Sequence, residues 1–222
     1  MTATGTPLAV LGAGSWGTAL AIQFARTGHD TRLWARDATL LAAMAHDRRN
    51  ARYLPDASFP DSLRVVDTLR AAIDGAQDIL VAVPSHALRS LLKELAPILP
   101  PEARLAWATK GFELETGLLP HQVAREELGS ARAFAVLSGP TFAREVGAGL
   151  PTAMTIAATE EAFAISLAQS LSSANFRAYT STDIVGVEVG GAEKCAGCRR
   201  RSRGWPWLWR QYSSGVDHPW FS

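Results

Sequence analysis

The chain alternates short, wholly apolar runs with longer segments whose apolar positions recur at helical spacing. Leu8 to Leu11 is the first such run, and it opens directly into Gly12-Ala13-Gly14-Ser15-Trp16-Gly17. From Thr18 to Arg26, the positions Ala19, Leu20, Ile22, Phe24 and Ala25 predict a helix that Gly28 ends. The pattern next predicts a strand over Thr31 to Ala35 and a helix in the charged, Ala-rich stretch Asp37 to Asn50. Pro55, Pro60 and Asp61 mark a loop. Helices are predicted at Thr68 to Asp74, His86 to Leu95 and Thr116 to Leu128. They alternate with strands at Ile79 to Val83, Arg104 to Thr109 and Phe134 to Leu137. Thr152 to Ala157 and Phe176 to Tyr179 read as late, edge-type strands around a helix at Glu160 to Ser172. Fully apolar strands alternating with helices predict an α/β fold, a parallel sheet covered on both faces.

Composition adds exclusions. The 222 residues are 47% hydrophobic and 19% charged, with formal net charge +1. That balance excludes a disordered chain, a collagen-like chain and a strongly basic nucleic-acid binder. No apolar run approaches the ~20 residues of a membrane helix, so no membrane partner is expected. Met1 to Pro7 lacks the basic-then-apolar pattern of a signal peptide. Two Cys residues make no disulfide framework, and a cytoplasmic location is expected.

A Gly-x-Gly-x-x-Gly run carries weight only between a strand and a helix, and here it has that context. Gly12 would make the tight turn, Gly14 would let the backbone approach a pyrophosphate, and Gly17 would let helix and strand pack closely. The helix N-terminus would then offer free N–H groups to the phosphates. After the second strand the chain reads Leu33-Trp34-Ala35-Arg36-Asp37. Arg36 stands where a guanidinium could meet a 2′-phosphate, which favours NADP. Asp37 is one step late for the ribose hydroxyls, so NAD stays open. Lys110 follows a predicted strand at its carboxyl end, where ligands collect in such sheets. His86, after Pro84-Ser85, reads as ordinary loop polarity.

These segments resemble bacterial NAD(P)-dependent glycerol-3-phosphate dehydrogenases, continuously from about Leu8 to Lys194. The resemblance rests on Gly12 to Ala21, Val83 to His86 (Val-Pro-Ser-His), Trp107 to Gly111 (Trp-Ala-Thr-Lys-Gly), Ser138 to Ala143 (Ser-Gly-Pro-Thr-Phe-Ala), Gly149 to Ala153 and Gly190 to Lys194 (Gly-Gly-Ala-x-Lys). It implies a doubly wound, Rossmann-type domain over residues 5–180 and reversible reduction of dihydroxyacetone phosphate to sn-glycerol 3-phosphate, a phospholipid precursor. It assigns acid/base work to Lys194, and contact with substrate and cofactor to Lys110. Gly139 and Thr141 match substrate contacts, while Ser15, Trp16, Arg36 and Ala143 match cofactor contacts. A lysine beside a developing alkoxide stabilises it, and a second lysine nearby lowers the donor's pKa by like-charge repulsion. The family implies a homodimer for the full-length enzyme and no metal. A hydroxyacid or 6-phosphogluconate-type dehydrogenase shares the Gly-rich turn but lacks the combination of Ala-Thr-Lys-Gly with Ser-Gly-Pro-Thr-Phe-Ala. A non-catalytic dinucleotide-binding fragment is the other alternative.

Residues 181–194 would begin the connection to the family's second, all-helical domain, which is expected to be missing beyond them. From Cys195 to Ser222 the composition breaks: both Cys, four of the seven Trp, five Arg and one Asp fall in 28 residues. Cys195-Ala-Gly-Cys198 could be half a zinc or redox site, but only Asp217 and His218 lie downstream as further ligands. Arg199 to Arg203 with Trp205, Trp207 and Trp209 could form a basic, aromatic nucleic-acid patch. A shifted reading frame explains more. Trp has one codon, TGG, and a frame taking its last two bases plus the next base always reads Gly. Trp205, Trp207, Trp209 and Trp220 all become Gly, and permitted codons elsewhere restore a family-like continuation that includes Asn-Thr-Arg. The shift is placed near Gly190 to Ala192, which puts Glu193 out of frame. Lys194 survives because a run of A bases encodes Lys in both frames. With the substrate-phosphate clamp of the second domain missing, the 222-residue chain is expected to show little or no turnover.

Overall fold

The computed structural model describes residues 6–193. Their centre is an eight-stranded sheet built from β1 (Leu8–Leu11), β2 (Thr31–Trp34), β5 (Leu63–Val65), β6 (Asp78–Val81), β7 (Arg104–Trp107), β8 (Phe134–Ser138), β9 (Thr152–Ala158) and β10 (Phe176–Ser181). A two-stranded ribbon of β3 (Arg49–Asn50) and β4 (Leu54–Ser58) stands apart. The helices are α1 (Ser15–Arg26), α2 (Ala38–Asp47), α3 (Leu69–Ile73), α4 (Ser85–Leu95), α5 (Pro120–Leu128), α6 (Ala143–Ala148), α7 (Glu161–Leu171) and α8 (Ile184–Glu193).

The sheet runs in the order β10-β9-β8-β7-β6-β1-β2-β5. The chain leaves β1 toward β2 on one side and returns to β6 on the other, so the order reverses between β1 and β6. That reversal opens a crevice at the carboxyl ends of the strands. Pairing is parallel from β5 across to β8, as the apolar runs predict. The expectation of an all-parallel sheet fails at one place: β8 and β9 pair antiparallel. The connection between them holds only the six-residue α6 (Ala143–Ala148), which packs against α1 and β4 and does not carry the chain across the sheet. β9 also proves interior, with β10 alone forming that edge.

The predicted loop around Pro55 and Pro60 is in part strand. Pro55 lies in β4, exposed on a two-stranded ribbon where a missing N–H costs no sheet bond. The helix expected to reach Asn50 stops at Asp47, because Arg48 takes a left-handed conformation at φ 51°. Thr116 to Leu119 stay outside α5, which begins at Pro120, the residue whose fixed φ and absent N–H suit a first helical turn. The core sits between sheet and helices: Phe24, Trp107, Phe134 and Phe163 are its largest fully buried side chains. Trp107 and Phe134, on neighbouring strands, pack with ring centroids 5.6 Å apart.

Candidate functional site

The turn after β1 is shaped by what its glycines exclude. Gly12 has φ +114°, and a Cβ there would lie 2.5 Å from the Ala82 carbonyl oxygen. A Cβ on Gly17 would lie 1.9 Å from the Gly12 carbonyl oxygen and 3.0 Å from Ala82 Cβ. These two glycines therefore let α1 start against the neighbouring strand end. Gly14 differs: nothing lies within 4 Å of its would-be Cβ. It is the N-cap residue of α1, with no side-chain cap to occupy the first N–H groups. An open space in front of uncapped helix N–H groups is a place for an anion. Ser15 is exposed beside it and Trp16 half-buried.

Asn50 fastens this turn from the other side. It is fully buried, and its Nδ2 donates to the Ala13 carbonyl at 2.9 Å and to Thr18 Oγ1 at 2.8 Å. The hydrophobic pattern puts Asn50 at a helix end and gives it no role. A polar residue at the end of β3 carries no periodic signal of a partner 32 residues away.

The other motif residues emerge along the same edge. Thr109 Oγ1 donates to the Val83 carbonyl at 2.7 Å and ties the end of β7 to the end of β6. Lys110, the next residue, places Nζ 5.7 Å from the centroid of the Trp16 ring and 3.4 Å from the Gly139 carbonyl oxygen. The turns after β1, β7 and β8 thus meet around one ammonium group. Trp16 Nε1 and Thr141 Oγ1 are buried atoms without a hydrogen-bond partner among the described residues. Buried donors left unsatisfied are costly unless a ligand or water completes them. Ala143 begins α6 just beyond. His86, the first residue of the predicted helix and read as loop polarity, lies exposed in the first turn of α4.

Arg36 is exposed beyond β2, and its Nη2 donates to Glu94 Oε1 at 2.6 Å and Ser90 Oγ at 3.1 Å, both on α4. Asp37 caps α2 by accepting from the Leu40 N–H at 3.0 Å. Lys194 and the segment 195–222, with the Cys pair and the Arg/Trp cluster, lie outside the described residues. The helix leading to Lys194 is nonetheless anchored beside Lys110. A Cβ on Gly191 would lie 2.8 Å from Ser138 Oγ and 4.0 Å from Lys110 Cγ. Glu188 on the same helix is buried and accepts from Trp107 Nε1 at 2.8 Å and the His121 N–H at 3.0 Å. Its other oxygen lies 2.5 Å from His121 Nδ1. The motifs do not single out Glu188. An acid amid Val and Gly was the available signal, because a buried carboxylate requires partners. Among the described residues, no group of three or more His, Cys, Asp or Glu is placed to hold a metal ion.

Residues 7–164 match the family model described as NAD-dependent glycerol-3-phosphate dehydrogenase N-terminus. The chain is 49% identical over 195 residues to glycerol-3-phosphate dehydrogenase [NAD(P)+] of Salmonella paratyphi B, covering 87% of this chain and 58% of that protein. It thus spans under two thirds of the length of the curated relatives it matches. Among solved structures, it is similar to glycerol-3-phosphate dehydrogenase of Coxiella burnetii, with TM-score 0.81, 41% identity, and 84% of this chain and 57% of that chain covered. The Plasmodium falciparum glycerol-3-phosphate dehydrogenase shares the fold at TM-score 0.75 and 20% identity, covering 83% of this chain and 55% of that one.

Proposed function

The chain belongs to the NAD-dependent glycerol-3-phosphate dehydrogenase family through its N-terminal domain, and from that premise we propose that it binds NAD or NADP for the reversible reduction of dihydroxyacetone phosphate to sn-glycerol 3-phosphate. The observation that carries the reading is the pairing of an open, uncapped helix start at Gly14 with Lys110 above Trp16 on the same sheet edge.

The residues fit a dinucleotide. Gly12 and Gly17 close the turn, and Gly14 with the first N–H groups of α1 takes the pyrophosphate. Ser15, Trp16 and Ala143 line the approach, and the unsatisfied Trp16 Nε1 and Thr141 Oγ1 await polar partners. When bound, the nicotinamide supplies the hydride. Lys110 holds its ammonium where a substrate carbonyl oxygen gains negative charge, and it stabilises that charge most where water is excluded. Gly139 and Thr141 orient the substrate beside it. Lys194 donates the proton that completes the alcohol and takes it back in the reverse direction. The contact of Gly191 with Ser138 and the Lys110 stem supports that assignment, because it brings the helix preceding Lys194 against the Lys110 site.

The pairing of the Trp107 to Gly111 and Ser138 to Ala143 motifs at one edge favours this reaction over that of a hydroxyacid or 6-phosphogluconate-type dehydrogenase. We extend the proposal to a homodimer for the full-length enzyme and to a cytoplasmic location. Among the described residues, no helix is long and apolar enough to cross a membrane.

The test is a titration of the 222-residue chain with NADH and NADPH, followed by energy transfer from tryptophan to the nicotinamide, beside a turnover assay with dihydroxyacetone phosphate. Saturable binding of either dinucleotide with turnover orders of magnitude below a full-length relative is expected, since a catalytic group without its positioning partners loses that much. Failure to bind either dinucleotide would sink the reading. Turnover matching a full-length relative would overturn the assignment of substrate-phosphate binding to a second domain.

A further inference from the structure

The corner beyond β2 holds two guanidiniums, each met by a carboxylate. Arg52 Nη1 lies 3.5 Å from Asp37 Oδ2. Arg36 Nη2 lies 2.6 Å from Glu94 Oε1, with side chains 49% and 51% exposed, so solvent and solutes reach this pair. Ser90, one turn earlier on α4, donates to the Ala87 carbonyl at 3.0 Å and so offers its oxygen to Arg36. Glu94 stands in the last turn of α4 (Ser85–Leu95), the negative end of the helix dipole, where a carboxylate is disfavoured. The local helix gains nothing from an acid there; Arg36 does.

Resting on the reading of this edge as a dinucleotide site, we propose that Glu94 sets the preference between the two dinucleotides by competing with a ribose 2′-phosphate for Arg36. A 2′-phosphate needs the guanidinium's paired donors and brings up to two negative charges. Glu94 occupies one donor and holds a like charge beside the place the phosphate would take. A 2′-hydroxyl is neutral and feels neither effect. Glu94 therefore weakens binding of the phosphorylated dinucleotide alone.

Glu94→Gln removes the charge while keeping an acceptor for Arg36, so the guanidinium stays in place and electrostatics alone changes. Dissociation constants for NADPH and NADH are measured on the 222-residue chain and on E94Q, at low ionic strength and at high salt. E94Q is expected to tighten NADPH by about three- to fivefold, the upper part of the scale of one exposed ion pair. NADH should shift by less than about twofold, and the NADPH gain should shrink at high salt. In an Arg36→Ala background the E94Q gain is expected to fall to about twofold or less. An unchanged NADPH constant, or equal shifts for both dinucleotides, overturns the proposal while leaving the dinucleotide site intact. A wild-type chain that binds neither dinucleotide overturns the site itself and this inference with it.

Discussion

Three glycines of one turn do three different jobs, and substitution separates them. Gly17→Ala would drive a Cβ to 1.9 Å from the Gly12 carbonyl oxygen, a backbone atom that cannot step aside, with Ala82 Cβ 3.0 Å away. We expect it to cost at least about 3 kcal/mol of stability, the upper range for forced overpacking, measured as a shift in the urea midpoint. Gly14→Ala meets no atom within 4 Å and sits at φ −69°, which alanine adopts freely. Its stability should stay within about 1 kcal/mol, because a poorer N-cap and a stiffer unfolded chain offset each other. Its NADH affinity should nonetheless fall by about tenfold or more, since the methyl enters the space a pyrophosphate would fill. A G14A chain that binds NADH as well as wild type would remove the pyrophosphate from this turn. The glycine spacing was legible in the sequence, including which glycines face backbone and which faces open space. Asn50, which secures the same turn, was not, because its partners are set by a chain reversal through β3 and β4.

Among the elements, the loop that carries Lys110 is held by charge as much as by packing. Arg89 on α4 makes a two-point contact with Glu113, Nε to Oε1 and Nη2 to Oε2 at 2.8 Å each. It also meets Glu126 at 2.8 Å and Glu127 at 2.5 Å, on α5. The hydrogen bonds from Arg89 hold the Glu113 carboxyl below its ordinary value of 4.5, although burial opposes them. Arg89 is in turn held more firmly protonated. A carboxyl lowered on folding contributes stability that is fully present above its unfolded value. That contribution is lost as pH falls through the lower folded value. Acid should therefore loosen the loop between Lys110 and α5. Glu113→Gln should flatten the fall of the urea midpoint below about pH 4.5 relative to wild type; parallel curves for the two proteins would contradict this. The helices and strands around the loop were legible from hydrophobic spacing. The four-residue charge cluster was not, because its members come from separate segments of the chain.

For the whole molecule, the described residues form the proposed dinucleotide platform, whose last helix leads toward Lys194 under the grip of the buried Glu188. The composition break after Lys194 concerns the chain beyond that helix. If a frame shift near Gly190 to Ala192 produced it, the coding DNA read in the shifted frame past Ser222 should continue into a family-like helical domain. Resequencing across Val189 to Cys195 and beyond checks this. A shifted frame that meets a stop codon soon after Ser222, or shows no family-like continuation, would return the Cys pair and the Arg/Trp cluster to consideration as working features.

By itself the sequence determined the α/β class, the placement of most strands, the glycine turn and the family, because each depends on local periodicity or on a short motif. Only the tertiary structure decided the antiparallel turn of β8 into β9, the ribbon around Pro55, the pairing of Arg36 with Glu94, and the Trp107–Glu188–His121 network. These depend on which distant segments share a sheet edge or a helix face, and no local pattern of apolar and polar positions encodes that. Lys110 belongs to both accounts: its motif singled it out, and the convergence of three strand ends placed it over Trp16.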